Sequence, residues 1–198
     1  MTDVVADISL SVDGFVAGPN AGPGNGLGDG AEGLHAWVFS GHDVDRTVLE
    51  EASAASGAVV MGRHLFDVVD GPDGWNDEMG YAADLDARPP FFVVTSSEPS
   101  AVRLADSHDF TFVLDGPAAA VELARAAAGD RDVYVMGGGE VVRGCLDAGV
   151  VDRLVLHISP LLLGGGAPLF DGAVPRALVQ SDVRVSPHAV HITWDVGD

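Results

Sequence analysis

Residues 131–172, RDVYVMGGGEVVRGCLDAGVVDRLVLHISPLLLGGGAPLFDG, constrain the fold more than any other stretch. The apolar run at 132–136 predicts a short strand. Gly137, Gly138 and Gly139 then let the backbone turn where a Cβ would obstruct it. From Glu140 onward Val142, Cys145 and Leu146 fall at helical spacing, and the pattern stops at Gly149. A second strand is predicted over 153–159. In the order strand, glycine turn, helix, strand, the free N–H groups and the positive dipole end of the helix lie above the glycines. An anion such as a pyrophosphate binds at such a place. Glycines between a strand and a helix also serve as plain tight-turn residues, so the remaining chain has to decide.

Composition narrows the choice. The 198 residues are 47% hydrophobic with a mean hydropathy of +0.23, enough for one substantial α/β domain over 1–198. The formal net charge is −20, and all ten basic residues are arginines. So acidic a chain repels phosphate backbones, which argues against nucleic acid and anionic membranes as partners. Without lysine there is no Schiff-base chemistry, and any arginine beside a glycine turn gains weight as an anion ligand. Cys145 is the single cysteine and occupies an apolar helix position, so it reads as core. No apolar run reaches membrane-span length, and the opening MTDVVADIS lacks the basic start of a signal peptide; a cytoplasmic location is expected. HExxH, EF-hand, P-loop and GxSxG patterns are missing, so no metal is expected and ATPase and serine-hydrolase chemistry have no support.

Along the chain, 4–12 predicts a first, central strand closed by Asp13-Gly14. The glycine-rich run at 18–30 reads as a long loop and, in a compact domain, as a mobile lid over a site. A helix is predicted from an Asp43 cap to about residue 56, with Gly57 as its stop. The strand at 58–61 leads into Gly62-Arg63-His64, where the arginine is either simply solvated or, since it opposes the helix dipole, reasonably explained by an anion between them. The stretch 70–88 reads as a loop with one or two helical turns. A strand at 90–95 ends in Thr95-Ser96-Ser97, hydroxyls that suit phosphate or ribose contacts and equally cap turns. Further strands are predicted at 110–114, 182–186 and 188–196, and a helix at 117–128 between Asp115 and Gly129. The second triple glycine, 164–166, precedes no helix and reads as a bend. Strands alternating with helices to residue 150, then strands alone, imply an α/β fold: a mixed, mostly parallel sheet flanked by helices, with antiparallel C-terminal strands. The glycine and hydroxyl turns fall at the carboxyl ends of strands, where open α/β sheets bind ligands.

Five segments in this order, SLSVDGFVAGP (9–19), VVMGRHLF (59–66), VVTSS (93–97), VYVMGGGEVVR (133–143) and LHISPLLLGGGAPLFD (156–171), resemble the dihydrofolate reductase superfamily. The resemblance is strongest to its RibD C-terminal branch and covers nearly the whole chain. It implies a three-layer dihydrofolate reductase-like fold, an NADPH-dependent reductase and a homodimer. It places Gly62, Arg63 and His64 at the adenosine 2′-phosphate, with Thr95, Ser96 and Ser97 beside them. Gly137, Gly138, Gly139, Glu140 and Val141 would cradle the pyrophosphate. Ser9, Val16 and Ala17 would lie against the nicotinamide, with loop 18–33 closing above. Two departures matter. Residues 34–39 carry no carboxylate to hold a pterin, which demotes a true dihydrofolate reductase. The first-strand lysine and the deaminase domain usual in riboflavin-pathway reductases are missing from this sequence.

The expected chemistry is hydride transfer from NADPH to a C=N or C=O carbon of a small planar heterocycle, pterin- or pyrimidine-like. Asp13 is the best acid candidate, with a turn-capping role equally open. His157 shares a strand face with Val155 and Ser159 and reads as a buried structural histidine. Trp37, Phe39 and Trp75 are candidates for the substrate pocket, as well as for plain core. The rivals are a dinucleotide- or ligand-binding protein without turnover, and a flavin in the same cleft.

Overall fold

The computed structural model describes residues 2–76, 79–83, 85 and 88–197. In chain order the elements are β1 (Val4–Ser11), β2 (Phe15–Ala17), a 3-10 turn (Glu32–His35), α1 (Asp43–Ala55), β3 (Ser56–Gly62), α2 (Arg63–Val69), β4 (Phe91–Val94) and β5 (Phe110–Val113). There follow α3 (Pro117–Ala128), β6 (Asp132–Gly137), α4 (Gly139–Asp147), β7 (Arg153–Ser159), β8 (Ala167–Pro168), β9 (Leu178–Val185) and β10 (Val190–Val196). Eight strands form one sheet in the order β5-β4-β3-β6-β1-β7-β10-β9. The first six run parallel, and β10 is antiparallel to both of its neighbours. This is the mixed, mostly parallel sheet with antiparallel C-terminal strands that the order of elements implies.

Alternation along the central strands separates two cores. Val4, Ala6, Ile8 and Leu10 of β1, with Ala58 and Val60 of β3, face α3 and α4 through Ala120, Val121, Ala124, Val142 and Cys145. Val59 and Met61 point the other way, to Phe66 of α2 and to Phe91 and Val93 of β4. Phe66 meets Phe110 and Phe112 edge-on at ring distances of 5.2 and 5.1 Å. Burial pushes the Cys145 thiol up to about 12, so it is an inert core side chain. Both helices behind the sheet have the expected punctuation. Pro117 opens α3 and Gly129 follows it with φ 65°, while Gly149 stands beyond α4 at φ 68°.

The details that differ are local. The N-cap of α1 is His42, whose Nδ1 accepts from Val44 N–H at 3.3 Å, so Asp43 is the first helical residue. Gly57 is not a helix stop but the second residue of β3. β9 begins at Leu178, four residues before the predicted start. A two-stranded ribbon of β2 and β8 has no counterpart in the sequence reading. Of the predicted loop at 70–88, residues 77, 78, 84, 86 and 87 lie outside the described residues. Among the described residues no helix is long and apolar enough to cross a membrane.

Phe66 is 1% exposed and anchors the helix that carries Arg63. Phe66→Ala should lower the unfolding free energy by about 3–5 kcal/mol in a urea melt. A loss below about 1 kcal/mol would mean that α2 is not held by this core.

Candidate active site

The carboxyl ends of β4, β3, β6, β1 and β7 open into one cleft of about 1730 Å³. Five adjacent strands span about 19 Å, and the volume exceeds the ~300–1,000 Å³ usual for a single small ligand. The cleft has room for a long ligand and a second, smaller one.

Its middle is the glycine turn. Gly137 has φ 111°, and a Cβ there would stand 3.2 Å from Ile8 Cδ1 of the neighbouring strand. The Gly137–Gly138 peptide is cis. Gly138 caps α4, and Val141 and Val142 N–H both return to its carbonyl, at 3.1 and 3.2 Å. The N–H groups of Gly139 and Glu140 have no protein acceptor among the described residues, as first-turn amides do not. A Cβ on Gly62 would lie 2.9 Å from Val141 Cγ2, so a side chain there would push β3 and α4 apart.

At the β3–β4 end Arg63 is held rather than solvated. Its Nε donates to Asp67 Oδ1 at 2.7 Å, and Nη1 donates to the Ser97 carbonyl at 2.8 Å. Thr95 Oγ1 also donates to that carbonyl, at 2.8 Å. Nη2 carries no protein hydrogen bond among the described residues, and the side chain is one-third exposed.

The loop over the cleft is better ordered than a lid of glycines suggests. Asp29 accepts from Asn20 Nδ2 at 2.7 Å and from Asn25 Nδ2 at 2.8 Å, and these bonds hold its carboxyl below the usual range. Gly18 N–H to Leu27 O and Asp29 N–H to Pro19 O, each 2.8 Å, close it into a self-tied loop. Gly18, Pro19, Asn20, Gly26 and Leu27 line the cleft.

Of the residues singled out from sequence, Ser9, Val16, Ala17, Trp37, Phe39, Gly62, Arg63, His64, Trp75, Thr95, Ser96, Gly138, Gly139, Glu140 and Val141 all line this cleft. Gly137 and Ser97 do not line it, and they act instead through the turn and through a carbonyl. Phe39 stands at the rim, 75% exposed. Trp75 is both wall and anchor, since its ring also packs on Phe91 and His108.

Asp13 is not among the cleft residues, and its carboxylate is already engaged. Ser11 Oγ donates to it at 2.6 Å, Leu163 N–H at 3.1 Å and Gly164 N–H at 2.7 Å. These bonds, the Ser11 hydroxyl foremost, draw its pKa down to about 2. A group so acidic carries no proton to give at neutral pH. The acid role therefore does not fall to Asp13, which ties the second triple glycine to the β1–β2 turn.

The polar group that sequence reasoning did not assemble lies on the other face of β1. Asp7 Oδ1 accepts from His157 Nε2 at 2.9 Å, and His157 Nδ1 meets His191 Nδ1 at 2.7 Å. His191 Nε2 then donates to Asp45 Oδ1 at 2.9 Å, and Ser40 Oγ donates to Asp45 Oδ2 at 2.7 Å. Trp37 covers the chain, its ring 4.2 Å from that of His157 and its Nε1 donating to Ser9 Oγ at 2.9 Å. His157 is thus buried, as read from its strand face, but it also borders the cleft, as Asp7 does. Among the described residues no three or more His, Cys, Asp or Glu are disposed to hold a metal ion.

An open α/β sheet with a glycine-lined cleft across its strand ends belongs to the class of folds that take their ligands at that edge. Within that class the chain belongs to the RibD C-terminal domain family, whose model matches residues 2–192. Membership of this family supports an oxidoreductase. No curated protein sequence matches the chain. Among solved structures it is similar to a protein from Shewanella sp. PV-4 ascribed to riboflavin biosynthesis, with a TM-score of 0.69 at 20% identity over all of both chains. It is similar also to a pyrimidine reductase-like protein from Corynebacterium diphtheriae, with a TM-score of 0.64 at 18% identity, covering all of this chain and 92% of that one. A bifunctional diaminohydroxyphosphoribosylaminopyrimidine deaminase/5-amino-6-(5-phosphoribosylamino)uracil reductase from Thermotoga maritima gives 0.62 at 16% identity. In that match 99% of this chain covers 57% of the other. At these identities the likeness is one of fold.

The depressed pKa of Asp13 makes its contribution to stability depend on pH. That contribution is complete above the unfolded value of 3.8 and is lost as pH falls through the folded value of about 2. The gap in Tm between wild type and Asp13→Ala should be full at about pH 5 and close towards about pH 2. A gap that is constant over this range would show that the three bonds to Asp13 do not form in solution.

Proposed function

We propose that the chain is an NADPH-dependent reductase that transfers a hydride to a small pterin- or pyrimidine-like heterocycle. The observation that carries this reading is the single long cleft, with unpaired first-turn amides at its centre and an arginine at one end. These residues fit a dinucleotide. The Gly139 and Glu140 amides and the α4 dipole would take the pyrophosphate. A Cβ at Gly139 would crowd Val16 Cγ2 at 3.2 Å, whereas at Gly138 nothing lies within 4 Å, so the backbone is open to a close-lying ligand.

Bound there, NADPH would supply the hydride from its nicotinamide. The chain would supply position and dryness. Arg63, held by Asp67 and the Ser97 carbonyl with Nη2 to spare, would take the 2′-phosphate beside Thr95 and Ser96. Val16, Ala17 and Ser9 would flank the nicotinamide, and the self-tied loop would exclude water above it.

The same reading carries a homodimer. β9 is an edge strand, and Leu178, Val179, Val183 and Val185 on it are all exposed. Analytical ultracentrifugation should give twice the chain mass for the wild type and a single chain for Val179→Lys. A monomeric wild type would refute the pairing.

Titration with NADPH and with NADH, followed by quenching of tryptophan fluorescence, tests the cofactor. NADPH should bind more tightly, and Arg63→Ala should weaken it roughly 10- to 100-fold while leaving NADH unchanged. An equal effect on both nucleotides would remove Arg63 from the 2′-phosphate.

A further inference from the structure

The ribbon of β2 and β8 lies almost wholly at the surface. All three residues of β2 are half-buried, and of residues 162–170 only Leu169 is buried. Apolar burial therefore does little to fix where the ribbon sits. Yet Val16, Ala17, Gly166, Ala167 and Pro168 all line the cleft. The ribbon is well tied to itself. Phe15 pairs with Pro168 and Ala17 with Ala167, Leu169 N–H donates to the Gly14 carbonyl at 2.9 Å, and Asp13 holds Leu163 and Gly164. Its tie to the helix layer is Arg143 of α4, whose Nη1 donates to the Pro168 carbonyl at 2.7 Å and to the Leu169 carbonyl at 3.0 Å. Among the described residues no other side chain hydrogen-bonds to residues 166–170.

Arg143 stands one turn along α4 from Gly139, whose amide is one of the two assigned above to the pyrophosphate. A Cβ on Gly139 would stand 3.2 Å from Val16 Cγ2, 3.5 Å from Arg143 Nη1 and 3.7 Å from Leu169 Cδ1. The first turn of α4, both strands of the ribbon and the guanidinium meet at this one point. We propose that Arg143 is a positioning residue that registers the ribbon on the helix carrying the phosphate subsite. It thereby sets the distance between that subsite and the surface of Val16 and Ala17 on which the nicotinamide would lie. This rests on the reductase reading above and adds a residue to it. A direct bond from Arg143 to the pyrophosphate is the competing role, and the two roles predict different losses.

Bonds from a charged donor are the stronger kind, and here two leave one nitrogen for adjacent carbonyls. Leu169 is 0% exposed and shares its core with Val141 and Val142 of α4, so its side chain and its carbonyl are both held to the same helix. A methionine in place of Arg143 would keep the packing of the stem and lose both bonds. The ribbon would then keep its own pairing and Asp13 at its far end, and would lift from α4. The Gly139 and Glu140 amides would stay where they are.

The test compares NADPH with 2′-phosphoadenosine diphosphoribose, the same nucleotide without its nicotinamide, by titration calorimetry. Wild type should bind NADPH the more tightly of the two. Arg143→Met should weaken NADPH roughly 10- to 100-fold and leave the nicotinamide-free nucleotide unchanged, which also shows that the variant is folded. Arg143→Lys, whose ammonium can still donate to both carbonyls, should recover part of the NADPH affinity. Equal weakening of both ligands in Arg143→Met would assign the residue to the pyrophosphate or to general stability and overturn the proposal. So would unchanged affinity for both, or a wild type that binds the two equally. A wild type that binds neither nucleotide would instead sink the reductase reading on which the proposal rests.

Discussion

A strand in the middle of a parallel sheet is covered on both faces, so every polar atom it carries must find a partner or destabilise the core. β1 is such a strand, and beyond Val5 one of its faces is polar, with Asp7, Ser9 and Ser11. Ser11 holds the β1–β2 turn by donating to Asp13 and accepting from Phe15 N–H at 3.0 Å. Ser9 holds Trp37, and Asp7 holds His157. The cleft is assembled from these three obligations. Trp37 brings in the segment after the loop, Asp13 brings in the second triple glycine, and His157 brings in β10 and, through His191, the start of α1. The opposite face of β1, with Val4, Ala6, Ile8 and Leu10, fixes the strand against α3 and α4. One alternation thus sets the rigid back of the molecule and the polar front on which the proposed chemistry rests.

Charge sets the second constraint. The chain has a net charge of −20 and no lysine, and its arginines are largely spent on structure. Arg125 reaches the Thr2 carbonyl and Asp152, Arg103 the carbonyls of Val69, Asp70 and Trp75, and Arg153 Asp3 and Asp132. An anionic ligand in the cleft would therefore be met mostly by backbone amides, which glycine alone lets approach closely enough. On the proposed reading, that is the role of the triple glycine at 137–139.

Much of this was legible in the sequence because it depends on local pattern. The glycine turn, the α3 and α4 boundaries and the parallel order of strands follow from short-range spacing and from turn residues, and most of the expected cofactor residues line the cleft. What could not be read depends on distant pairing. Asp13 followed by glycine looks the same whether it caps its own turn or binds Leu163 and Gly164, 150 and 151 residues away. His157 and His191 are opposed only because β7 and β10 pair in that register. Asp45 resembles any acidic residue in the first turn of a helix, yet it is fully buried. The glycine-rich loop misleads in the other direction. Its order comes from Asn20, Asn25 and Asp29, polar residues that composition alone counts as loop formers. Residues 34–39 hold no carboxylate, and those that border the cleft come from other elements, Asp7 of β1 among them.

A crystal structure of the protein with NADP+ tests the central claim most directly. The account predicts pyrophosphate oxygens within hydrogen-bond reach of the Gly139 and Glu140 N–H groups, the 2′-phosphate at Arg63, and the nicotinamide between Ala17 and Ser9. A dinucleotide lying in the opposite sense, with its nicotinamide at Arg63, or one bound away from the glycine turn, would contradict it.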